Sequence, residues 1–178
     1  MKLYYHFLLP MCLFFSSQVF VKAQGNTPTL KHVQGISSVG ISGGYVTDGF
    51  NAGLGYTYYL KSRAMIRCKA IYENTNLNST KLTFVYLNPE LMYSLIKFSN
   101  SFYFNIKGGP LVGYEMLKNA AITTKMNAVV FGGEIGANAE FLLSSKLGLN
   151  LDYDQRLIAN SNAGSQSYCI TLGIAYFF

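Results

Sequence analysis

One feature constrains the fold of this chain most strongly: in several long runs, a large apolar side chain occupies every second position. In the last residues, apolar positions alternate with small or polar ones, at Tyr168, Ile170, Leu172, Ile174, Tyr176 and Phe178. A period of two is that of a β-strand with one apolar face. In water such a terminal strand would be an aggregation-prone edge, and here neither charge nor proline blunts it. Either another strand of the chain must pair with it, or lipid must cover its apolar face.

Seven earlier segments show the same alternation, at about 34–45, 49–60, 64–72, 80–95, 101–113, 129–141 and 146–155. No segment keeps a helical period or has the roughly 20 apolar residues of a membrane helix. Strands of about ten residues are longer than those usual in globular sheets and match a tilted strand that crosses a bilayer. The pattern predicts an all-β fold, an eight-stranded antiparallel up-and-down transmembrane β-barrel over residues 34–178.

The connections between these strands differ in length. Those after strands two, four and six are short, whereas those after strands three, five and seven are longer and polar. Outer-membrane barrels alternate short periplasmic turns with longer outside loops, so an even strand number predicts that both termini are periplasmic. A soluble β-sandwich or lipocalin-like barrel has the same alternation with its apolar face inside. The strand lengths and the 14 tyrosines favour the membrane barrel.

The N-terminus, "MKLYYHFLLPMCLFFSSQVFVKAQ", has a basic start, an apolar middle and a small-x-small site that ends at Ala23. It predicts a secretory signal peptide at 1–23, then a short periplasmic leader at 24–33 and location in a bacterial outer membrane. An uncleaved anchor is disfavoured because the apolar run is short and contains Pro10. Loss of the signal lowers the formal charge from +6 to +4, and no Lys/Arg cluster predicts direct nucleic-acid binding.

Charged residues also fall on the face opposite the apolar one, at Arg67, Lys69, Glu90, Lys107, Glu134, Glu140 and Asp152. The interior of an eight-stranded barrel is just filled by side chains, so we expect a structural network of paired charges there. Glu140 is expected at the short-turn end, paired with a cation or with water. Arg156 is predicted to lie just beyond strand seven, free for a contact at the loop surface.

Catalytic and metal motifs are weak in this sequence. "GISGG" at 40–44 matches a nucleophile pattern around Ser42, but the segment is a strand with no helix after it. The mature chain has one histidine, His32, in the leader, and two cysteines, Cys68 and Cys169, whose pairing stays open. We therefore predict no enzyme activity, no metal, no cofactor and no small-molecule substrate.

Four segments carry a family resemblance: "GGYVTDGFNAGLGYTYYLKS", "FYFNIKGGPLVGYEMLKN", "FGGEIGANAEFLLSSKLGLNLDYDQRLIANSNAG" and the terminal "LGIAYFF". In order and spacing they resemble the TraO family of conjugative-transposon transfer proteins from Bacteroides-type bacteria, over nearly the whole mature chain. The most telling pieces are Gly49-Phe50 with Gly53, Gly113-Tyr114-Glu115, and Glu140 followed by Gln155-Arg156.

The resemblance implies an outer-membrane component of a conjugative DNA-transfer apparatus, with a structural or interaction role and no catalytic residues. Its implied partners are outer-membrane lipid and other proteins of the conjugation machinery. The alternatives are a small OmpX/OmpA-like barrel with another outer-membrane role and a barrel hydrolase of lipid or peptide. A small-solute pore is disfavoured because charged side chains are expected to fill the lumen.

Overall fold

The computed structural model describes residues 32–77, 80–98, 101–119, 125–161 and 166–178, which form a closed barrel of eight antiparallel strands. The predicted signal peptide at 1–23 and residues 24–31 of the predicted leader lie outside the described residues. The strands are β1 Ser37–Val46, β2 Gly49–Tyr59, β3 Ala64–Leu77, β4 Thr80–Lys97, β5 Phe102–Asn119, β6 Lys125–Leu142, β7 Leu147–Ala159 and β8 Gln166–Phe177. Each strand pairs with the next and β8 pairs with β1, which confirms the predicted fold class. The described part contains no helix long and apolar enough to cross a membrane.

The apolar terminal strand has a partner on both sides. β8 pairs with β1 from Ser38 opposite Phe177 to Val46 opposite Cys169, and with β7 on its other side. The Phe178 amide donates to the Ser37 carbonyl at 3.0 Å, and the Ser37 amide donates to the Phe178 carbonyl at 3.1 Å. Closure therefore removes the exposed edge that the sequence alone would leave.

The barrel has a turn end and a loop end, which differ in the connections that they carry. The turn end carries the β2–β3, β4–β5 and β6–β7 connections together with His32 and Phe178, and the loop end carries the other four connections. Strands β3, β5, β6 and β7 run further toward the loop end than predicted, so much of the predicted loops at 73–80, 114–128 and 156–166 is strand. Pairing satisfies backbone donors and acceptors that a loop would leave to water. The predicted contrast between short turns and long loops was therefore too strong.

Side chains alternate between the lumen and an outward apolar band. Along β5 the outward positions include Phe104, Ile106, Val112 and Tyr114. The ten steps from Phe104 to Tyr114 rise about 3.3 Å each, which at a strand tilt of about 40° gives a height of about 25 Å. That is the height of the apolar band in transmembrane barrels.

Two prolines lie at an irregular place in the β4–β5 pairing. The register pairs Leu87 with Val112 and Leu91 with Gly108, and Pro89 and Pro110 lie in the stretch between these pairs. Proline has no amide hydrogen to donate to a ladder. The Asn88 side chain instead donates to the Pro110 carbonyl at 3.0 Å. A lumenal side chain thus replaces part of the missing backbone pairing.

Any side chain at Gly109 is expected to lower the stability of the barrel. A Cβ built on Gly109 would overlap the carbonyl oxygen of Pro89, which is backbone and has no room to move. We expect Gly109→Ala to lower the free energy of unfolding by about 1–3 kcal/mol, the usual effect of overpacking. The matched control is Gly133→Ala on the neighbouring strand, where the nearest atom to an added Cβ is 3.7 Å away. Urea unfolding of the refolded barrel tests this, and equal midpoints for the two variants would contradict it.

Candidate functional site

Six of the seven charged residues predicted to face the lumen meet in one layer halfway along the barrel. They come from β3 to β7 and are all buried: Arg67, Lys69, Glu90, Lys107, Glu134 and Asp152. Asp154 of β7 joins them. These seven residues are called the ion layer below. Successive strands place them at the same height because each inward position is paired with an inward position on the neighbouring strand.

Arg67 and Lys69 hold one side of the ion layer. The Arg67 guanidinium lies 2.8 Å from a Glu90 oxygen and 2.7 Å from an Asp152 oxygen. The Lys69 ammonium lies 2.6 Å from Glu90, 3.2 Å from Glu134 and 3.3 Å from Asp154. Every carboxylate of the layer therefore has at least one cation in contact, as buried charges require.

Lys107 lies at the centre of the ion layer, and its side chain is fully buried. Its ammonium lies 2.5 Å from Asp154, 2.8 Å from Asp152, 3.5 Å from Glu90 and 3.7 Å from Glu134. Alternation already places Asp154 on the lumenal face. Its partners Lys69 and Lys107 come from other strands, so only the closed barrel shows that Asp154 belongs to the network.

Buried amides extend this network toward the turn end. Asn105 and Asn138 are completely buried. Asn105 accepts a hydrogen bond from Ser94 at 2.6 Å and donates one to Asn138 at 2.7 Å. Asn138 donates in turn to Asp152 at 3.3 Å. A sequence search for charged residues misses these amides, although their inward positions follow from the same period of two.

Glu140 lies apart from the ion layer, at the turn end. Its Oε2 is 3.0 Å from Nε2 of His32, and its Oε1 accepts a hydrogen bond from the Tyr59 hydroxyl at 3.2 Å. The His32 ring stacks on the Tyr103 ring, with centroids 3.7 Å apart and an interplanar angle of 7°. His32, which the sequence assigns to the leader, is therefore packed inside the barrel opening.

Apolar clusters fill the lumen on both sides of the ion layer. The cluster at the turn end contains Tyr59, Met65, Met92, Tyr103, Leu142, Ala175 and Phe177. The cluster toward the loop end contains Ile71, Phe84, Tyr86, Leu111 and Val130. Within the described residues, one lumenal cavity of about 40 Å³ lies beside Ser42 and Arg67, and one of about 90 Å³ lies near Glu115. These volumes hold a few water molecules at most.

The prediction for Arg156 is wrong. Arg156 lies within β7, not beyond it, and its side chain is completely buried. Its Nη1 is 2.6 Å from Oε2 of Glu73 and 2.7 Å from the Tyr86 hydroxyl. β7 continues to Ala159, and the period of two directs position 156 inward. Arg156 is therefore an interior residue and not a contact at the loop surface.

The arrangement does not form a hydrolase site at Ser42. Ser42 lies in mid-strand, paired with Gly53 on one side and Gly173 on the other, so the backbone has no sharp nucleophile turn. The His32 ring contacts Glu140 and Ser94 at the turn end, whereas Ser42 lines the cavity beside Arg67. Cys68 and Cys169 are both free thiols, the first exposed and the second buried.

One group of carboxylates has the spacing of a metal site. Single oxygens of Glu90, Glu134 and Asp154 lie within 4.8 Å of one another. The ammonium groups of Lys69 and Lys107 contact all three residues, at distances from 2.5 to 3.7 Å. These lysines supply the positive charge that a metal would bring, so the donors fit an internal ion network better than a cation site.

Comparison with solved structures identifies similar barrels. The N-terminal β-barrel domain of OprF from Pseudomonas aeruginosa has a TM-score of 0.64 at 11% identity, covering 82% of this chain and 98% of that one. The attachment invasion locus protein Ail of Yersinia pestis has a TM-score of 0.61 at 10% identity, covering 82% and 100%. Neisserial surface protein A has a TM-score of 0.60 at 10% identity, covering 79% and 95%. At these identities the similarity shows the fold alone. No protein-family model matches the sequence, and no curated protein does.

Proposed function

We propose that this protein is an outer-membrane barrel with a structural or interaction role, acting through its rims and outer surface rather than through its lumen. One observation carries the proposal: the ion layer and the two apolar clusters fill the interior. A transport path or a substrate pocket needs space that these side chains occupy. The rims and the outer surface are therefore the parts of this barrel that can bind a partner.

Three features support placement in an outer membrane. The outward band has the height of a hydrocarbon core bounded by aromatic residues. Closure leaves no unpaired strand edge facing lipid, as a spanning sheet requires. The solved structures whose fold it shares include a major outer membrane protein of Thermus thermophilus. The signal peptide predicted from the sequence would supply export.

The TraO-like segments support a more specific role, as an outer-membrane component of a conjugative DNA-transfer apparatus. Several residues of these segments build the interior: Glu115, Glu140 and Arg156 are all buried. The resemblance therefore concerns how the barrel is built, and it does not indicate which surface meets the transfer machinery. The partners we propose are outer-membrane lipid and other proteins of that machinery.

Membrane fractionation and conductance test the general proposal. We expect the full chain to be recovered in the outer-membrane fraction and to migrate differently on a gel before and after heating. In a planar bilayer it should give no conductance steps, because the lumen is filled, while a porin in the same bilayer conducts. A soluble periplasmic protein, or one that conducts like the porin, would contradict the proposal.

A mating assay tests the conjugation role. Deletion of the gene in a donor cell is expected to reduce transfer of the element, and the wild-type gene should restore it. Glu134→Gln, which brings the ion layer to formal neutrality, should also restore transfer. Lys107→Met, which destabilises the layer, should not. Undiminished transfer after deletion would contradict the conjugation role, but it would not contradict the proposal of an outer-membrane barrel.

A further inference from the structure

Nearly all acidic residues of this barrel are buried, whereas several of its basic residues are exposed. The chain has eight Asp and Glu residues, and the exposed one is Asp48. The buried ones are Glu73, Glu90, Glu115, Glu134, Glu140, Asp152 and Asp154. The exposed cations of the described part are Lys61, Arg63, Lys81, Lys97, Lys118 and Lys146. The outer surface is therefore basic, with almost no carboxylate to neutralise it.

Two exposed lysines lie side by side near the loop end. Lys81 of β4 is directly opposite Lys118 of β5. Residues paired in this way have Cβ atoms about 5 Å apart, and like charges there are destabilising. No ion pair to Lys81 or Lys118 occurs among the described residues. An anion bound across Lys81 and Lys118, called the lysine row below, would relieve the repulsion.

The lysine row lies within side-chain reach of the lipid headgroups. Lys81 and Lys118 are exposed on the outward face, above the apolar band that ends near Tyr114. The four steps from Tyr114 to Lys118 rise about 13 Å along the strand, or about 10 Å in height at the usual tilt. The headgroup region extends about 5–7 Å beyond the hydrocarbon core. Lysine side chains bend toward that region, so their ammonium groups reach it.

We propose that the lysine row binds the phosphate groups of a phosphorylated glycolipid in the outer leaflet, an inference that rests on the proposed placement in an outer membrane with both termini periplasmic. A phosphate monoester carries about −1.5 to −2 charge and three acceptor oxygens, which suits two adjacent ammonium groups. The row lies on the membrane-facing surface and does not line the mouth of the barrel. A membrane lipid therefore fits it better than a soluble anion.

The test uses the full mature chain, refolded in detergent and titrated with lipid A that carries two phosphates or with the same lipid after phosphate removal. Native mass spectrometry measures the bound fraction. Lys81→Gln/Lys118→Gln is expected to weaken binding of the phosphorylated lipid about 30-fold, since each lysine near an anionic surface contributes about fivefold. Binding of the dephosphorylated lipid should be weak and should not change.

Lys61→Gln/Lys146→Gln is the matched control, since it removes two exposed cations from the turn end. It should leave lipid A affinity unchanged, and both double variants should keep heat-modifiable migration. Equal weakening in the two double variants would overturn the lysine row as the site. The proposal would also be overturned if loss of Lys81 and Lys118 weakened binding of heparin or single-stranded DNA but not binding of lipid A. Failure of the wild-type chain to insert into lipid vesicles would instead remove the proposed membrane placement.

Discussion

Replacing Lys107 by methionine is expected to lower the free energy of unfolding by about 3–5 kcal/mol, the effect of removing one partner from a buried ion network. Lys107 is the fully buried cation that contacts all four carboxylates of the ion layer. Without it, only the two positive charges of Arg67 and Lys69 would oppose those four negative charges. Methionine has a similar length and no charge, so the change isolates the electrostatic contribution.

The matched control for Lys107→Met is Glu134→Gln. The ion layer has three cations (Arg67, Lys69, Lys107) and four carboxylates (Glu90, Glu134, Asp152, Asp154). Loss of one negative charge brings the layer to formal neutrality, and the glutamine oxygen still accepts a hydrogen bond. We therefore expect less than about 1 kcal/mol of destabilisation. Urea unfolding followed by gel migration measures both variants, and equal midpoints would show that charge balance does not stabilise the layer.

The second large effect is expected at Arg156. Arg156→Met would leave the buried Glu73 carboxylate without its cation and should destabilise the barrel by about 3–5 kcal/mol. Arg63→Met is the matched control, because Arg63 is exposed in the β2–β3 turn and surface changes have small effects. Unfolding midpoints of the two refolded variants decide the matter. An Arg156→Met barrel as stable as Arg63→Met would mean that the buried pair contributes nothing.

A double-mutant cycle separates the pair from the general effect of a change in the lumen. Glu73→Gln alone leaves Arg156 without its carboxylate and should also destabilise. Arg156→Met/Glu73→Gln removes both charges, so the destabilisation should be smaller than the sum of the two single effects, with a coupling of about 1–3 kcal/mol. Additive effects would show that the two side chains do not stabilise each other.

Much of the fold was predictable because the period of two is a local property. In each strand, polar residues at every second position indicate the lumenal face, as Arg67 and Lys69 do in β3. That signal predicted the strand number and the inward direction of the seven charged residues. It did not predict the strand ends. The alternation in β7 gives no sign of an end at Gln155. Pairing with β8 reaches Leu157 and pairing with β6 reaches Ala159.

The candidate site was less predictable because its contacts join strands that are far apart in sequence. Lys107 and Asp154 meet across the lumen, and so do Arg156 and Glu73, whose separation is 83 residues. The identity of such partners depends on the tilt and stagger of the closed sheet, which no local pattern records. His32 likewise has no alternating neighbours that would predict its place beside Glu140.

By itself the sequence determined which face of each strand is apolar, since side chains on a strand must alternate and the apolar ones must leave water or meet lipid. It also determined that the terminal strand needs a partner. The predicted closed barrel also implied that this partner is β1, but the register of their pairing and the burial of Arg156 with Glu73 came from the tertiary structure. So did the side-by-side position of Lys81 and Lys118. Each of these facts follows from register, and register is set by how all eight strands close together.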